Sequence, residues 1–416
     1  MKIHLWDLPK NEVWINLEEN LQKELIKKGY EIAGNYRKLA SLTGVTINQL
    51  YNQKARDRPK SINFFIKLFK LLKKRGLSYS LKKVEDKVIG IQTKWRGSSI
   101  TNPKLPFDFS SQCGATILSG IYFDGGIRGT DRSNYGRPLY NNQEKVMREN
   151  FKNACRKVFG DIEFNEDKTG SINLPKIIGI ILINCFEYIP GRKSMHNPEI
   201  SKFILKNTNE EFICSFLKQA FSDEGTVSTS EVKLKIVVDV SHLEKFLRNK
   251  IKRNSFQYQE YAPNLLQGLK LLLEKVNIDV NGPRFDREYK YVDKQNQKHI
   301  VFSWEITISA KENLAMFRKK IHFIQPVNNE KLNQIISKIK EDHLPMKKGI
   351  DLVYQKVLKL QKEGRIICTK ELANEINRRE GVTRVWLSKL VKLNYIKKVG
   401  GKGCRFYPYI YKIQSH

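Results

Sequence analysis

Two nine-residue stretches, ILSGIYFDG (residues 117–125) and LKQAFSDEG (residues 217–225), decide the fold of this chain. Each is an apolar run with helical character that ends in an acid followed by glycine, Asp124 in the first copy and Glu224 in the second. The two acids are 100 residues apart, which is the length of a small unit of helices and strands and not of a solenoid repeat. The spacing predicts a duplicated domain of mixed helix and strand.

The sequence after each motif supports the duplication. After Gly125 the pattern predicts strands near Ile127 and over residues 161–173, with a helix over residues 143–159 between them. After Gly225 it predicts the strands VKLKIVVDV and IVFSWEITIS, separated by helices and followed by the helix ENLAMFRKKI. Because Asp-Gly and Glu-Gly are also common terminating turns, either motif alone would indicate no more than a helix end.

The charge balance narrows the choice of partner. Lys and Arg number 75 against 43 Asp and Glu, a net charge of +32, and the hydrophobic content of 40% is enough to fold. Such a field attracts polyanions, so the partners to weigh are DNA, RNA and an anionic membrane. A membrane is the poorest of the three, because no apolar run in the sequence is long enough to span a bilayer.

Two absences from the sequence limit its chemistry. There is no GxxxxGK[ST] phosphate loop, so we expect no nucleotide cofactor. The six cysteines have no CxxC spacing, which predicts neither a four-cysteine zinc site nor a disulfide framework. We therefore expect a protein of the reducing cytoplasm, associated with the nucleoid.

Residues 1–83 predict an all-α helix-turn-helix domain. Its centre is YRKLASLTGVTINQLYNQ (residues 36–53), in which Ala40 allows close helix crossing and Gly44 allows a left-handed turn. Thr46 and Gln49 predict a capping box for the second helix. The side chains expected to contact DNA are Asn48, Gln49, Asn52, Gln53, Lys54 and Arg56. The alternative is an ordinary helical hairpin, and residues 84–110 predict a linker or short hairpin.

Residues 347–416 predict a winged helix, because three amphipathic helices precede two strands around a glycine turn. The side chains expected on its DNA-facing side are Arg384, Ser388, Lys389 and Lys392 from the third helix, and Lys397, Lys398, Lys402 and Arg405 from the wing. A winged helix that binds protein is the alternative, and the density of Lys and Arg favours DNA.

The two motifs resemble those of LAGLIDADG homing endonucleases in their single-chain form with two pseudo-symmetric halves. Three further stretches are similar to archaeal members: PGRKSMHNPEISKFI (residues 190–204), FLKQAFSDEGTV (residues 216–227) and ITISAKENLAMF (residues 306–317). The resemblance covers about half of the chain. It implies an α+β fold with a duplicated αββαββα core, repeat 1 over residues 111–206 and repeat 2 over residues 207–346. It also implies paired motif helices above the DNA minor groove and a saddle of two curved antiparallel sheets.

The resemblance makes Asp124 and Glu224 the catalytic carboxylates and the ligands of Mg²⁺, which offsets phosphate charge, helps to form hydroxide and stabilises the leaving oxygen. Asp223 precedes Glu224, and we expect only one of the two to point into the site, because successive helical residues do not share a face. The third motif position, usually glycine in the family, is Ser119 in one copy and Gln219 in the other. The basic residue that the family places near the phosphate is one of Lys193, Lys233, Lys235 and Lys311.

We therefore expect a monomeric, site-specific endonuclease that binds double-stranded DNA and hydrolyses its phosphodiester bonds with Mg²⁺. The alternative is a transcription regulator on the same fold that binds DNA without cleavage, since a fold does not fix a function. An RNA maturase is less favoured, because the sequence contains no RNA-specific module.

Overall fold

The computed structural model describes residues 1–51, 58–93, 99–129, 136–293, 296–338, 344, 346–365, 367–378, 380–400 and 409–413. The fold is α+β, as the sequence predicts. One hydrophobic core runs from Ile3 to Ile335, and a second, separate core runs from Val353 to Tyr411. No helix in these residues combines the length and apolarity needed to cross a bilayer.

The N-terminal unit mixes strands with helices. Its elements in chain order are β1 (Lys2–Ile3), a 3-10 turn (Leu5–Asp7), β2 (Val13–Leu17), α1 (Glu19–Ala33), α2 (Tyr36–Thr43), α3 (Asn48–Tyr51), β3 (Lys60–Ser61), α4 (Ile62–Lys73), α5 (Leu81–Glu85), β4 (Val88–Thr93), β5 (Ile100–Thr101) and β6 (Phe107–Asp108). The prediction of an all-α domain is wrong. The sequence VWINL alternates buried and half-buried positions, so Val13, Ile15 and Leu17 share one face of a strand.

The turn between α2 and α3 has the predicted chemistry. Gly44 ends α2 in the left-handed region with φ 74°, where side chains are strained. The Thr46 N–H donates to Oε1 of Gln49 at 2.9 Å, which is one of the two hydrogen bonds of a capping box. Further on, β4 and β5 pair as an antiparallel hairpin within the predicted linker.

The first half of the central region contains α6 (Gln112–Tyr122), β7 (Gly125–Ile127), β8 (Pro138–Asn141), α7 (Lys145–Phe159), β9 (Asp161–Ile162), β10 (Asn165–Glu166), β11 (Ser171–Asn173) and α8 (Lys176–Phe186). Strand β9 does not join the sheet of its own half. It pairs with β5 and completes a sheet of order β3-β2-β4-β5-β9, so the N-terminal unit and the first half share backbone hydrogen bonds as well as a core.

The second half follows two short helices, α9 (Lys193–His196) and α10 (Lys202–Leu205). Its elements are α11 (Glu210–Glu224), β12 (Gly225–Val227), β13 (Val232–Asp239), α12 (Lys245–Arg253), two 3-10 turns (Ser255–Gln257 and Gln259–Tyr261), α13 (Asn264–Lys275), β14 (Asn281–Val292), β15 (Lys298–Ile308), α14 (Lys311–Lys320) and α15 (Pro326–Lys338).

The two halves have the same sheet topology. Their four-stranded sheets have the orders β10-β11-β8-β7 and β14-β15-β13-β12, and neighbouring strands are antiparallel in both. In each half the strand after the motif helix lies at one edge, and the next strand along the chain lies beside it. Helix α6 contacts β7 and β8, and α11 contacts β12 and β13, so two equivalent helices each adjoin the sheet of their own half.

The C-terminal unit contains α16 (Met346–Lys362), α17 (Thr369–Glu375), α18 (Glu380–Lys392), β16 (Ile396–Gly400) and β17 (Ile410–Ile413). The two strands pair antiparallel, and Ile410 also forms an isolated bridge with Cys368, just before α17. The order of three helices and a hairpin is the one from which the sequence predicts a winged helix.

Candidate active site at the ends of the paired helices

The motif helices α6 and α11 pack directly against each other. Each begins at a side-chain cap: Ser111 Oγ accepts from the Gly114 N–H at 3.1 Å, and Asn209 Oδ1 accepts from the Phe212 N–H at 3.2 Å. Between the helices, the fully buried Ser119 donates its hydroxyl to the Phe216 carbonyl oxygen at 2.8 Å. The small serine at the third motif position therefore satisfies its own hydroxyl while the helices stay close.

The glycine after each acid is required by the local backbone. A Cβ atom at Gly125 would lie 2.7 Å from the carbonyl oxygens of Gly120 and Leu139, and one at Gly225 would lie 2.3 Å from that of Phe221. The chain enters β12 directly at the end of α11, and it enters β7 after two residues, Phe123 and Asp124, that follow the end of α6. The turn fixes the preceding acid at the helix end in both halves.

Asp124 is partly buried among polar groups. Asn142, which follows β8, donates from Nδ2 to Asp124 Oδ2 at 2.5 Å. Burial raises the pKa of the Asp124 carboxyl above its usual value, although the hydrogen bond from Asn142 and the charge of Lys193 both oppose the shift.

Glu224 lies within electrostatic reach of Asp124. Burial, followed by repulsion from the Asp124 carboxylate, raises the pKa of Glu224 to about 7, and the charge of Lys193 opposes this rise. Repulsion from Asp124 thus adds to burial in disfavouring the ionised form of Glu224, and a bound cation would relieve both effects.

Lys193 is the basic group beside these acids. Its Nζ donates to the Tyr122 carbonyl oxygen at 2.8 Å and also to that of Phe123, at the last turn of α6. Burial lowers the pKa of the Lys193 ammonium, and the charges of Glu224, Asp124 and Asp223 oppose that shift. The carbonyl oxygens at the end of α6 thus hold the Lys193 ammonium beside the acids.

The other three lysines from the sequence lie elsewhere. Lys233 pairs with Glu231 at 2.7 Å, and Lys235 pairs with Asp286 at 2.8 Å, both in the second sheet. Lys311 begins α14. Lys193 is therefore the one of the four that the fold brings to Asp124 and Glu224.

Asp223 also reaches the site, so the expectation that only one of Asp223 and Glu224 would do so is wrong. Tyr140 donates its hydroxyl to Asp223 Oδ1 at 2.7 Å, and Gln219 donates from Nε2 to the same oxygen at 2.9 Å. The Asp223 carboxyl also lies within electrostatic reach of Asp124. Burial, and then the charge of Asp124, raises the pKa of Asp223 well above its usual range.

Gln219, the unusual third residue of the second motif, is accommodated by this network. It is buried, and its amide contacts Tyr140 at 3.1 Å, Asp223 at 2.9 Å and Asn150 at 3.2 Å. Because the side chain bonds to β8 and α7 of the other half, Gln219 links the two halves where a glycine would only let the helices approach.

The residues present fit a divalent metal held jointly with substrate. Asp223 Oδ2 is buried with no donor in reach, beside a second carboxyl, an environment that a cation stabilises. Among the described residues no three His, Cys, Asp or Glu side chains are arranged to hold a metal by themselves. Mg²⁺ prefers oxygen ligands and keeps several waters, so two carboxylates and phosphate oxygens are a sufficient set.

Tyr140 and Asn142 are site residues that the sequence did not indicate. Tyr140 lies on β8, a strand that the sequence pattern did not predict, and Asn142 directly follows it. The signal that could have found Lys193 is the stretch PGRKSMHNPEISKFI, one of the stretches on which the expected resemblance rests.

Most of the described side chains predicted to contact DNA from the flanking units are exposed. Asn48 is exposed on α3, whereas Gln49 is partly buried and caps its own helix. The exposed side chains of the C-terminal unit include Arg384, Ser388, Lys389, Lys392, Lys397 and Lys398. The predicted residues outside the described part of the chain are Asn52, Gln53, Lys54, Arg56, Lys402 and Arg405.

Comparison with known proteins gave structural similarity only. No family model and no curated protein matches the sequence. Solved structures of mesophilic variants of the homing endonuclease I-DmoI are similar at 12% identity and a TM-score of 0.30, over 52% of this chain and 100% of that one. The complex of I-DmoI with DNA and Mn is similar at 13% identity and a TM-score of 0.30, over 51% of this chain and 97% of that one. The complex of I-DmoI with DNA and Ca is similar at 13% identity and a TM-score of 0.31, over 55% of this chain and 98% of that one.

Proposed function

We propose that this protein is a site-specific endonuclease that hydrolyses phosphodiester bonds of double-stranded DNA with Mg²⁺ held by Asp124 and Glu224. The observation that carries the proposal is the convergence of these two acids and Lys193 at the ends of two equivalent helices, each of which adjoins a sheet of the same topology. The two acids are 100 residues apart in sequence, and a purely structural role gives no reason for them to meet.

Duplex DNA matches the symmetry of this arrangement. Its two backbones are related by local twofold axes, and two equivalent halves in one chain offer one carboxylate to each strand. The net charge of +32 supplies the attraction that a polyanion needs. Because both motifs lie in one chain, a monomer carries the complete pair.

The side chains have separate tasks in the proposed reaction. Asp124 and Glu224 provide the oxygen ligands, and Asn142 orients the Asp124 carboxyl by its hydrogen bond. Lys193, anchored by two carbonyl oxygens, keeps a positive charge near the position of the scissile phosphate. When bound, Mg²⁺ supplies charge compensation for the phosphate and lowers the pKa of a coordinated water.

The flanking units extend the proposed DNA contact. The helix pair α2 and α3 would act as a helix-turn-helix, and the C-terminal unit would act as a winged helix with α18 and the hairpin facing DNA. The exposed Arg384, Lys389 and Lys392 on one side of α18 support this assignment. Linked modules raise the effective concentration of one another, so a long target can be bound tightly.

The test is a cleavage assay with Mg²⁺ on a randomised library of target sites, with EDTA as the metal-free control. Asp124→Asn and Glu224→Gln should each lower the cleavage rate at least about 100-fold, the scale expected when a group that stabilises transition-state charge is lost. Both variants should retain DNA affinity, measured by gel shift. The matched control is Glu210→Gln, at the exposed opposite end of the same helix, α11.

The possible outcomes separate the two functions weighed from the sequence. Cleavage by either site variant at the wild-type rate would show that the assignment of the active site is wrong. Specific binding by the wild-type protein with no metal-dependent cutting would instead identify a transcription regulator.

A further inference from the structure

The second half contains an insertion that the first half lacks. In the first half β8 ends at Asn141 and the next helix, α7, begins at Lys145. In the second half β13 ends at Asp239, and the equivalent helix, α13, begins only at Asn264. The added chain forms α12 and the two 3-10 turns. Because the two sheets are topologically equivalent, the insertion is not needed to complete the fold.

The inner side of α12 is anchored to the second sheet. Ile251 is fully buried, and Lys252 pairs with Glu288 of β14. Arg248 donates to the carbonyl oxygen of Leu243, which precedes the helix. The cations on this side therefore have partners within the protein.

The outer side of α12 carries cations and aromatic rings in the open. With 3.6 residues per turn, positions 245, 246, 249, 250 and 253 fall on one face. These five residues and Phe256, which follows the helix, form a surface that we call the basic aromatic face. It consists of Lys245, Phe246, Asn249, Lys250, Arg253 and Phe256. All six are exposed. In the described residues Lys245, Lys250 and Arg253 form no ion pair, and Lys250 Nζ lies 4.3 Å from the centre of the Phe246 ring.

This composition is unfavourable for an isolated surface. Lys250 and Arg253 are three residues apart on a helix with no acid between Lys245 and Arg253, so their like charges repel. Phe246 is 67% exposed and Phe256 is 66% exposed, which leaves two large apolar rings in water. Apart from the contact of Lys250 with the Phe246 ring, packing among the described residues explains neither feature, whereas a polyanion that also presents apolar sugar carbons would satisfy both.

We propose that the basic aromatic face binds the phosphate backbone of DNA that flanks the cleavage centre on the side of the second half. The cations neutralise phosphates, Asn249 donates to a phosphate oxygen, and the phenyl rings pack against the apolar carbons of the sugars. This inference rests on the proposed function, because it places the face on the same duplex as the paired acids.

The register of the second sheet gives the distance from the acids. Gly225, next to Glu224, pairs with Leu234 of β13, and the insertion begins after that strand ends at Asp239. At about 3.4 Å per residue the strand extends about 17 Å beyond the pairing point. This is the length of about five base pairs, so the face contacts the flank of the target and not the cleaved phosphates.

The experiment compares two triple variants of the full-length protein. The first is Lys245→Ala, Lys250→Ala and Arg253→Ala. The control is Lys157→Ala, Lys206→Ala and Lys319→Ala, three exposed lysines outside the basic aromatic face. Both remove three charges, so their difference reports position and not net charge.

DNA affinity is measured as a function of salt concentration for both variants. The first variant should lower the slope of log K against log salt by about 2 to 3, because three phosphate contacts are lost. It should also lose backbone protection in a hydroxyl-radical footprint on one side of the target. The control variant should keep both the slope and the footprint, and the cleavage rate at saturating DNA should be unchanged in both.

The aromatic residues are tested by the double variant Phe246→Ser and Phe256→Ser. It should weaken DNA binding without changing the salt slope, since no charge is removed. Its thermal unfolding should match the wild type, because both rings are exposed in the free protein.

The results separate this inference from the proposed function. The two triple variants could differ in the slope of log K against log salt while the wild-type protein never cleaves DNA. That result would support DNA binding by the basic aromatic face and would overturn the proposed nuclease activity. Cleavage by the wild type, with identical salt slopes for the two triple variants, would overturn only the proposal that the basic aromatic face binds DNA. A loss of affinity for structured RNA but not for DNA would also overturn it.

Discussion

Ionisation of the Glu224 carboxyl opposes folding. Its pKa is raised to about 7 by burial and by Asp124, whereas the unfolded value is near 4.5. For an acid whose pKa is raised by folding, stability is greatest at low pH and falls as the pH rises from the unfolded to the folded value. Glu224→Gln should therefore be more stable than the wild type at pH 8, by up to about 3 kcal/mol, and the difference should shrink towards pH 5. Urea unfolding at the two pH values measures it.

Magnesium provides the control for this prediction. A cation held by the carboxylates offsets the cost of their ionisation, so Mg²⁺ should raise the stability of the wild type at pH 8 more than that of Glu224→Gln. The same comparison with Glu210→Gln should show no loss of the magnesium effect. An equal stability gap at both pH values would contradict the raised pKa of Glu224.

At this scale the sequence identified the two acids but not their surroundings. Asp124 and Glu224 could be selected because the motif repeats at an interval of 100 residues. Lys193 could not be selected from four lysines, because its approach to Tyr122 and Phe123 depends on how the connection between the halves packs. Asp223 was set aside by helical geometry, yet its carboxyl accepts from Tyr140 and lies within electrostatic reach of Asp124, since the angle between successive side chains does not fix their reach.

The interface between the motif helices depends on the side chain of Ser119. Ser119→Ala should destabilise the protein by about 1 kcal/mol, the cost of a buried hydrogen bond to the Phe216 carbonyl oxygen. Ser119→Leu should cost more, because the position is fully buried and the larger side chain would force the helices apart. Chemical unfolding gives both values.

Separation of the helices should also displace the acids at their ends. Ser119→Leu should consequently lower cleavage by more than its loss of stability alone explains, when assayed well below its melting temperature. Ser228→Leu, at a partly buried position beyond β12, is the control for the size of the substitution. Full activity in Ser119→Leu would mean that close helix packing does not position the acids.

The elements followed the sequence where periodicity was strong and departed from it elsewhere. The motif helices, β13, β15 and the three C-terminal helices lie where the pattern of apolar residues placed them. Strand β2 was missed although VWINL alternates, because it is five residues long and precedes a long helical pattern. Strand β14 was missed because most of its outward positions are polar and it lies at the sheet edge, where little apolar surface is buried.

The molecule has two separate hydrophobic cores, and we expect them to unfold independently of each other. The core from Val353 to Tyr411 is separate, so a chain that ends at Lys338 should keep the main unfolding transition of the full-length protein. Removal of residues 1–110 should instead prevent folding, because it strips Phe107 and Phe109 from Phe159, whose ring lies 5.1 and 5.5 Å from theirs. Losses of about 3–5 kcal/mol per buried phenylalanine are expected.

Calorimetry of the full-length chain and the two truncations tests this difference. The full-length protein should show a second, smaller transition that is absent from the chain ending at Lys338. A single transition in the full-length protein, shifted in the truncation, would mean that the two cores unfold together.

The pairing of β5 with β9 has a consequence for the proposed target. Because hydrogen bonds of one sheet cross from the N-terminal unit into the first half, α2 and α3 cannot swing freely about the paired acids. The positions on DNA read by that unit would keep a fixed helical phase relative to the cut. One base pair inserted between them turns the duplex by about 35° and should abolish cleavage. The same insertion on the side of the C-terminal unit, which has its own core, should be tolerated. The protein would therefore require a fixed spacing on one flank of its target and allow a variable spacing on the other.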